Sequence, residues 1–245
     1  MITKSKLKLI KSLSRKKYRE EHQLFVVEGY KSIRELINSG IYTEVLLVTE
    51  GNHKLDDFDP EVISVKEMNN ISNYTTAPGY LAVFKMIPKT DIPDQGKILV
   101  LDDVKDPGNL GTIIRLADWF NIQHIICSEE TVDMYNTKCV QASMASLSRV
   151  QIHYTELATF LNNTSLPIFV TAMDGENVYE TTLPQDAIII MGNESHGISN
   201  EIQKLGKAIS IPQYGTIQKT ESLNVATATS LILGEWLRTT TITEK

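Results

Sequence analysis

The stretch Asp106–Arg115, with the sequence D-P-G-N-L-G-T-I-I-R, follows an apolar segment at Ile98–Leu101. Asp, Pro, Gly and Asn at its start are typical of a turn, and the apolar residues that follow recur at helical spacing. The stretch therefore predicts a strand, a turn and the start of a helix. The apolar stripe of that helix consists of Leu110, Ile113, Ile114, Ala117 and Phe120.

Arg115 lies off this apolar stripe. In α/β proteins, ligands bind at such strand ends, where free backbone N–H groups meet anions. Arg115 is therefore either a fixed cation beside a ligand crevice or a surface arginine on an ordinary amphipathic helix. A Gly-x-x-Gly pattern with one arginine does not separate these two interpretations.

Strands and helices alternate on both sides of residues 87–96, whose prolines, glycine and charges are typical of a linker. We therefore predict one α/β domain at 1–90 and a second at 97–245. Near-continuous apolar strands in the second domain indicate a parallel sheet covered on both faces. The predicted strands are Leu24–Glu28, Val45–Val48, Val62–Val65, Tyr80–Phe84, Ile98–Leu101, His124–Cys127, Ile168–Ala172, Ala187–Met191 and Ala208–Ile211. The predicted helices are 4–13, Tyr30–Asn38, Lys66–Ile71, 109–120, Thr137–Leu147, Leu157–Leu161, Ile198–Leu205 and Leu223–Leu237, with polar breaks at Tyr18–Gln23 and 51–60.

The composition, with 42% apolar and 22% charged residues among 245, is ordinary for a globular protein. There is no run of eighteen apolar residues and no signal-peptide pattern, so we expect no membrane span. The cysteines, Cys127 and Cys139, and the five histidines show no metal-ligand spacing. The sequence predicts a cytoplasmic protein without a metal site.

The net charge of −6 argues against a nucleic-acid partner, but the charge is unevenly distributed. Residues 1–19 contain eight basic residues and no acidic one. A local basic patch is what phosphate contacts need, although a solvated helix face would have the same composition. The basic residues are Lys4, Lys6, Lys8, Lys11, Arg15, Lys16, Lys17 and Arg19.

The last predicted helix, Leu223–Leu237, is apolar on nearly every side. A helix of this kind is buried, either within its own fold or against a partner, most simply a second copy of the chain.

Two further strand ends carry polar residues. The stretch Ile188–Gly197 runs from a strand into G-N-E-S-H-G, which places Asn193 and Glu194 at the mouth of the sheet, and Gly192 permits close approach of a backbone. After the strand that ends at Ile211 the sequence reaches E-S-L-N, where Ser222 is a candidate helix N-cap and Asn224 lies in the first turn. Capping and turn formation are the alternative roles for these residues.

Together, three motifs resemble the SpoU family of RNA ribose 2′-O-methyltransferases, which is the TrmH-type family of the SPOUT superfamily. The motifs are D-P-G-N-L-G-T-I-I-R-L-A, I-M-G-N-E-S-H-G-I-S, and I-P-x-x-G followed by E-S-L-N-V-A, within residues 97–240. F-V-V-E-G-Y-K-S-I-R-E-L in the N-terminal part resembles that family's RNA substrate-binding domain, which is similar to ribosomal protein L30e. The resemblance implies a small L30e-like α/β domain, then a SPOUT domain with a parallel sheet and a C-terminal trefoil knot.

The resemblance also implies an activity: methylation of a ribose 2′-hydroxyl in structured RNA, ribosomal rather than transfer RNA, by a homodimer packed through the knot and the C-terminal helix. S-adenosylmethionine would bind near Ala172, Gly192, Ile211 and Leu223. Arg115 would contact the ribose-phosphate and help to deprotonate the hydroxyl; an electrostatic role is easier physically, because arginine stays protonated above pH 12. The implied catalytic group consists of Arg115, Asn109, Glu194, Asn193, Ser222 and Asn224.

The sequence departs from the family pattern at two places. The segment T-I-Q-K-T-E, residues 216–221, makes the third motif about three residues longer, and Ala145 replaces the glycine of an A-S-x-G pattern. There are three alternative interpretations of the function. One is a transfer-RNA methyltransferase, and another is a catalytically idle RNA-binding protein on the same fold. The third, a dinucleotide-dependent enzyme, would need a G-x-G-x-x-G motif that the sequence lacks.

Overall fold

A computed structural model describes residues 2–51, 58–215 and 222–243, with only the backbone described at 240–243. The helices are α1 (Lys4–Ser12), α2 (Lys16–His22), α3 (Tyr30–Asn38), α4 (Val65–Ile71), α5 (Pro107–Trp119), α6 (Thr137–Ser143), α7 (Leu157–Asn163), α8 (Asn200–Gln203) and α9 (Val225–Thr243). The strands are β1 (Leu24–Glu28), β2 (Thr43–Thr49), β3 (Glu61–Ile63), β4 (Tyr80–Lys85), β5 (Lys97–Leu101), β6 (His124–Cys127), β7 (Gln151–Tyr154), β8 (Ile168–Asn177), β9 (Ala187–Met191) and β10 (Lys207–Ser210).

The chain divides into two compact units, residues 1–88 with 133–149, and residues 89–132 with 150–245. The α/β class predicted from the sequence is confirmed. The domain bounds 1–90 and 97–245 stay a prediction, and the contacts within the structure group the segment 133–149 with the first unit. None of the helices in the described ranges is long and apolar enough to cross a membrane.

The first unit is built on a four-stranded sheet with the order β1-β4-β2-β3. Strand β4 is antiparallel to both of its neighbours, and β3 is parallel to β2. Helices α1 and α4 pack against each other, and α6 packs on β1. The core consists of aliphatic side chains from the sheet and these helices, including Ile10, Leu13, Leu47, Met68 and Leu81.

Helix α2 corrects the polar break predicted at Tyr18–Gln23. Its inward position is occupied by Arg19, which is 2% exposed. The Arg19 guanidinium donates to the Asp133 carboxylate and to the carbonyl oxygens of Leu13 and Ser14. A buried charge needs such partners. With them, α2 buries a charged residue at the position where an amphipathic helix normally has an apolar one. The missing apolar stripe is why the sequence did not reveal it.

The third predicted strand, Val62–Val65, is also shorter than expected, because Ser64 begins a helix. The Ser64 hydroxyl accepts from the Glu67 backbone N–H, and the Glu67 carboxylate accepts from the Ser64 N–H. This reciprocal capping box places Val65 in the first turn of α4.

The second unit contains a six-stranded sheet with the order β10-β8-β9-β5-β6-β7, and every neighbouring pair is parallel. The parallel sheet predicted from continuous apolar runs is confirmed, since β5 and β9 are buried almost throughout. Edge strand β7 was not predicted, because its sequence Q-I-H-Y carries only one aliphatic residue. Helix α9 packs against α5, which brings two of the three motif regions together.

Helix α6 ends at Ser143, four residues before the predicted end at Leu147. Met144 and Ala145 both adopt left-handed backbone conformations, with φ of 47° and 68°. Ala145 is 1% exposed. The left-handed region is costly for residues with a Cβ and free of cost for glycine, so the backbone here explains why the family pattern has glycine where this chain has Ala145.

Replacing Ala145 with glycine is therefore expected to stabilise the protein by about 1 kcal/mol. The measurement is the urea midpoint of unfolding. Ala117→Gly, in the middle of α5, is the matched control and is expected to destabilise by about 1 kcal/mol, because its backbone is helical. Equal destabilisation by both substitutions would show that the left-handed turn at Ala145 carries no strain.

Candidate functional site

A cavity of about 970 Å³ lies beside the middle of β8 and the carboxyl ends of β9 and β10, and we call it the strand-end cavity. Its walls come from residues 171–173 of β8, from the ends of β9 and β10 with the segments that follow them, and from the first half of α9. The carboxyl ends of parallel strands meet at one edge of a sheet, which is where α/β proteins bind ligands. The cavity is lined by all four residues expected to contact the cofactor: Ala172, Gly192, Ile211 and Leu223.

The lining of the strand-end cavity is mixed. Its apolar residues include Ile209, Val225 and Ile232. Its polar residues include Glu194 and Ser222. A ligand with one flat apolar part and one charged part fits such a lining.

Gly192 makes the loop after β9 possible. A Cβ at Gly192 would lie 2.4 Å from the carbonyl carbon of Gly197, a distance that no side chain tolerates. Asn193 and Gly197 exchange backbone hydrogen bonds of 3.0 Å in both directions, and Gly197 has a φ of +70°. The close approach that the sequence predicted at Gly192 is thus made by the chain's own backbone.

The side chain of Asn193 holds this loop together. Its Nδ2 donates to the carbonyl oxygen of Asp103 at 2.8 Å and to the Asp103 carboxylate at 3.1 Å. Its Oδ1 accepts from the backbone N–H groups of Ser195 and His196. Both ends of the amide are engaged within the protein, so the geometry gives Asn193 a positioning role.

Asn109 connects the loop after β9 to the start of α9. Its Nδ2 donates to Oε1 of Glu194 at 2.8 Å, and its Oδ1 accepts from Nδ2 of Asn224 at 2.9 Å. The Asn109 backbone N–H donates to the Asp106 carboxylate, which caps α5. Residues from all three motifs therefore meet in one hydrogen-bonded chain, Asn224–Asn109–Glu194, which we call the amide relay.

Asn224, not Ser222, caps helix α9, which corrects the N-cap predicted from the sequence. Oδ1 of Asn224 accepts from the backbone N–H groups of Ala226 and Thr227. Asparagine is as good an N-cap as serine, and the helix begins at Val225, two residues later than the serine pattern implied. Ser222 is exposed and lines the strand-end cavity instead.

Arg115 lies six residues beyond Asn109 in α5 and is exposed. The helical rise puts its Cα about 9 Å further along the axis. The amide relay joins Asn109, Glu194 and Asn224, and Arg115 occupies an exposed position further along the helix that carries Asn109.

Among the cavity residues that sequence reasoning did not name as site residues are His196 and Tyr214. Both are exposed, and Tyr214 is 81% exposed. Both lie within the stretches of the second and third motifs, which was the available signal. In the described part of the chain, no three His, Cys, Asp or Glu side chains are grouped closely enough to hold a metal ion.

Two family models match the chain. The model of the SpoU rRNA methylase family matches residues 96–234, and the model of the MRM3-like substrate-binding domain matches residues 4–95. The chain is 27% identical over 238 residues to the 23S rRNA (guanosine(2553)-2′-O)-methyltransferase RlmP of Bacillus subtilis, and the match covers 93% of this chain and 94% of that protein.

Solved structures show the same relationship. A structure described as an RNA methyltransferase of the TrmH family, from Porphyromonas gingivalis, is 34% identical with a TM-score of 0.84, covering 97% of this chain and 99% of that one. An AdoMet-bound rRNA methyltransferase from Sinorhizobium meliloti is 28% identical with a TM-score of 0.84, covering 97% and 96%. The chain therefore belongs to the SpoU rRNA methylase family.

Proposed function

We propose that this protein transfers the methyl group of S-adenosylmethionine to a ribose 2′-hydroxyl of 23S ribosomal RNA. The observation that carries the proposal is the amide relay beside the strand-end cavity, since it joins residues of all three family motifs at the site where the family binds its methyl donor and its substrate. The relatives matched over nearly the whole chain are named for rRNA methylation, which favours ribosomal over transfer RNA.

The lining of the strand-end cavity fits S-adenosylmethionine. Its apolar residues suit an adenine ring, and its polar residues suit the charged part of the cofactor. The cofactor supplies an activated methyl group on a sulfonium. Ala172, Gly192, Ile211 and Leu223 are the residues that we propose to contact it.

The protein's own contribution is alignment and charge. A ribose hydroxyl is a poor nucleophile at neutral pH and needs a base or a nearby cation. Arg115 supplies that cation by holding the ribose-phosphate and lowering the pKa of the hydroxyl. Glu194 orients the ribose and is held in place by Asn109, which is itself held by the cap residue of α9. Ser222 adds a hydroxyl group to the polar lining of the strand-end cavity. Asn193 holds the loop that presents Glu194.

The remaining architecture is proposed on the same basis. Residues 97–245 are proposed to carry a C-terminal trefoil knot, and residues 1–90 to be an L30e-like RNA substrate-binding domain. Segment 216–221, which lengthens the third motif, lies outside the described residues. A cytoplasmic location is proposed by analogy with the bacterial rRNA methyltransferase that the chain resembles.

A homodimer is proposed through the knot and the C-terminal helix α9. Most of the apolar surface of α9 is buried within the chain, including Leu233 and Trp236, but Leu231 is 39% exposed and Trp119, at the end of α5, is 83% exposed. Light scattering that gave 27.5 kDa, the mass of one chain, would refute this assembly.

The decisive experiment supplies tritiated S-adenosylmethionine with unmodified 23S rRNA and, separately, unmodified transfer RNA. Label in 23S rRNA at an alkali-resistant linkage is the expected result, because a methylated 2′-oxygen cannot attack the adjacent phosphate. Label in transfer RNA alone would overturn the substrate. If the protein binds RNA but neither RNA is labelled, the proposed enzymatic activity is wrong, and the result favours a catalytically idle RNA-binding protein.

Replacing Arg115 with alanine is expected to lower kcat by at least about 100-fold, the usual cost of losing one preorganised transition-state contact. Cofactor affinity should stay unchanged, since Arg115 lies away from the strand-end cavity. Arg115→Lys restores the charge and should recover part of the rate. Arg34→Ala, an exposed arginine on α3, is the control. Full activity in Arg115→Ala would remove Arg115 from the mechanism.

Asn224→Asp tests the amide relay without removing the helix cap. Aspartate still accepts from the N–H groups of Ala226 and Thr227, so stability should change by less than about 0.5 kcal/mol. In Asn224→Asp an acceptor oxygen replaces the Nδ2 donor that faces Oδ1 of Asn109, so two acceptors oppose each other and the link to Asn109 is lost. We expect slower methyl transfer at every pH at which wild type is active.

The matched control is Asn224→Ser, which caps the helix but brings no charge. It should lose less activity than Asn224→Asp at every pH. Equal rates and equal pH profiles for wild type and Asn224→Asp would show that the amide relay does not position the catalytic group.

A further inference from the structure

A second cavity, of about 260 Å³, lies within the first unit and is separate from the site described above. Its floor comes from β1 and α6 and includes the buried residues Val27 and Val140. Its rim is polar and includes Glu28, Tyr74 and Lys138. We call it the first-unit cavity.

Glu28 fixes one wall of the first-unit cavity. Its Oε1 accepts from the Asn73 backbone N–H at 2.7 Å and from Asn73 Nδ2 at 3.1 Å, and its Oε2 accepts from the Ser72 hydroxyl. The Ser72 hydroxyl in turn accepts from the Tyr74 backbone N–H at 3.1 Å. The segment Ser72–Tyr74 is therefore held in one conformation. A carboxylate offers about four acceptor positions, so Glu28 keeps room for one more donor.

Tyr74 presents an aromatic ring to the same space. It is half-buried, and burial raises the pKa of its hydroxyl, with the Glu28 carboxylate raising it further. The phenol therefore stays protonated at neutral pH, so the ring is neutral and its hydroxyl remains a donor. An aromatic face that is held by its own loop can stack on a flat ligand at little cost in conformational entropy.

The size and chemistry of the first-unit cavity suit a single flat polar ring. Its volume is just below the range of drug-sized ligand sites, which begins at about 300 Å³. The apolar floor, the aromatic side chain, the acceptor on Glu28 and the cation of Lys138 are together the features that read unpaired RNA bases, which stack on aromatic rings and are bonded along their edges.

We propose that the first-unit cavity binds one unpaired nucleobase of the substrate RNA, which stacks on Tyr74, donates an N–H to Glu28, and places its phosphate near Lys138. This inference rests on the proposed function, because it takes the ligand to be the RNA that is methylated. It adds a site about which the family motifs say nothing, on the unit that does not carry the strand-end cavity. We expect RNA binding at the first-unit cavity to precede methyl transfer and to be independent of it.

The test measures filter binding of unmodified 23S rRNA and steady-state methyl transfer for the same variants. Tyr74→Ala is expected to weaken binding and raise KM by about 10-fold, as the loss of one base–aromatic stack does, while kcat and cofactor affinity stay unchanged. Tyr74→Phe should bind like wild type. Tyr42→Ala, which removes an aromatic ring that is 60% exposed and outside the cavity, is the matched control.

Two additional variants separate stacking from charge and from folding. Tyr74→Leu fills the space without an aromatic face, so it should bind as weakly as Tyr74→Ala even if the alanine variant is unstable. Lys8→Glu, on the exposed basic surface of α1, should weaken binding and reduce its salt dependence, whereas Tyr74→Ala should leave the salt dependence unchanged.

The inference is overturned if Tyr74→Leu binds as tightly as wild type, if Tyr74→Phe binds as weakly as Tyr74→Leu, or if wild type does not bind the RNA. Filter binding does not depend on catalysis. If wild type binds the RNA in a way that depends on Tyr74 but transfers no methyl group, the proposed function is wrong. The proposed base-binding site would then still hold.

Discussion

The site depends on a single amide, the side chain of Asn109, whose two ends differ. Its donor end meets Glu194 and its acceptor end meets Asn224. The orientation of the Asn109 amide is set by helix α9. The backbone N–H groups at the start of α9 donate to the oxygen of Asn224, which turns the nitrogen of Asn224 toward Asn109. Glu194 is consequently presented with a donor already on one oxygen, which holds the carboxylate in place.

This constraint links elements that are far apart in sequence. Asn109 and Glu194 are separated by 85 positions, and Asn109 and Asn224 by 115. Parallel strands bring them to one edge of the sheet, and packing of α9 on α5 brings two helix N-termini together. The strand-end cavity lies beside the junction, so the same contacts that hold the strand ends together also orient Glu194.

The parallel sheet could be predicted because its strands are continuous apolar runs, and the cofactor residues could be named because the motifs are specific. Helix α2 could not be predicted, because its inward position is occupied by the buried Arg19, which is paired with Asp133. The cap at Asn224 was misassigned because serine and asparagine are equivalent in a pattern. The partners of Asn109 depend on tertiary contacts, and no local pattern encodes them.

The central claim is that the strand-end cavity is the cofactor site, and calorimetric titration tests it most directly. We predict that wild type binds S-adenosylmethionine and gives no heat with NAD, and that Ala172→Trp, which fills the cavity from its wall, abolishes binding while the protein stays folded. Binding of S-adenosylmethionine that is unchanged in folded Ala172→Trp, or absent in wild type, would contradict the account.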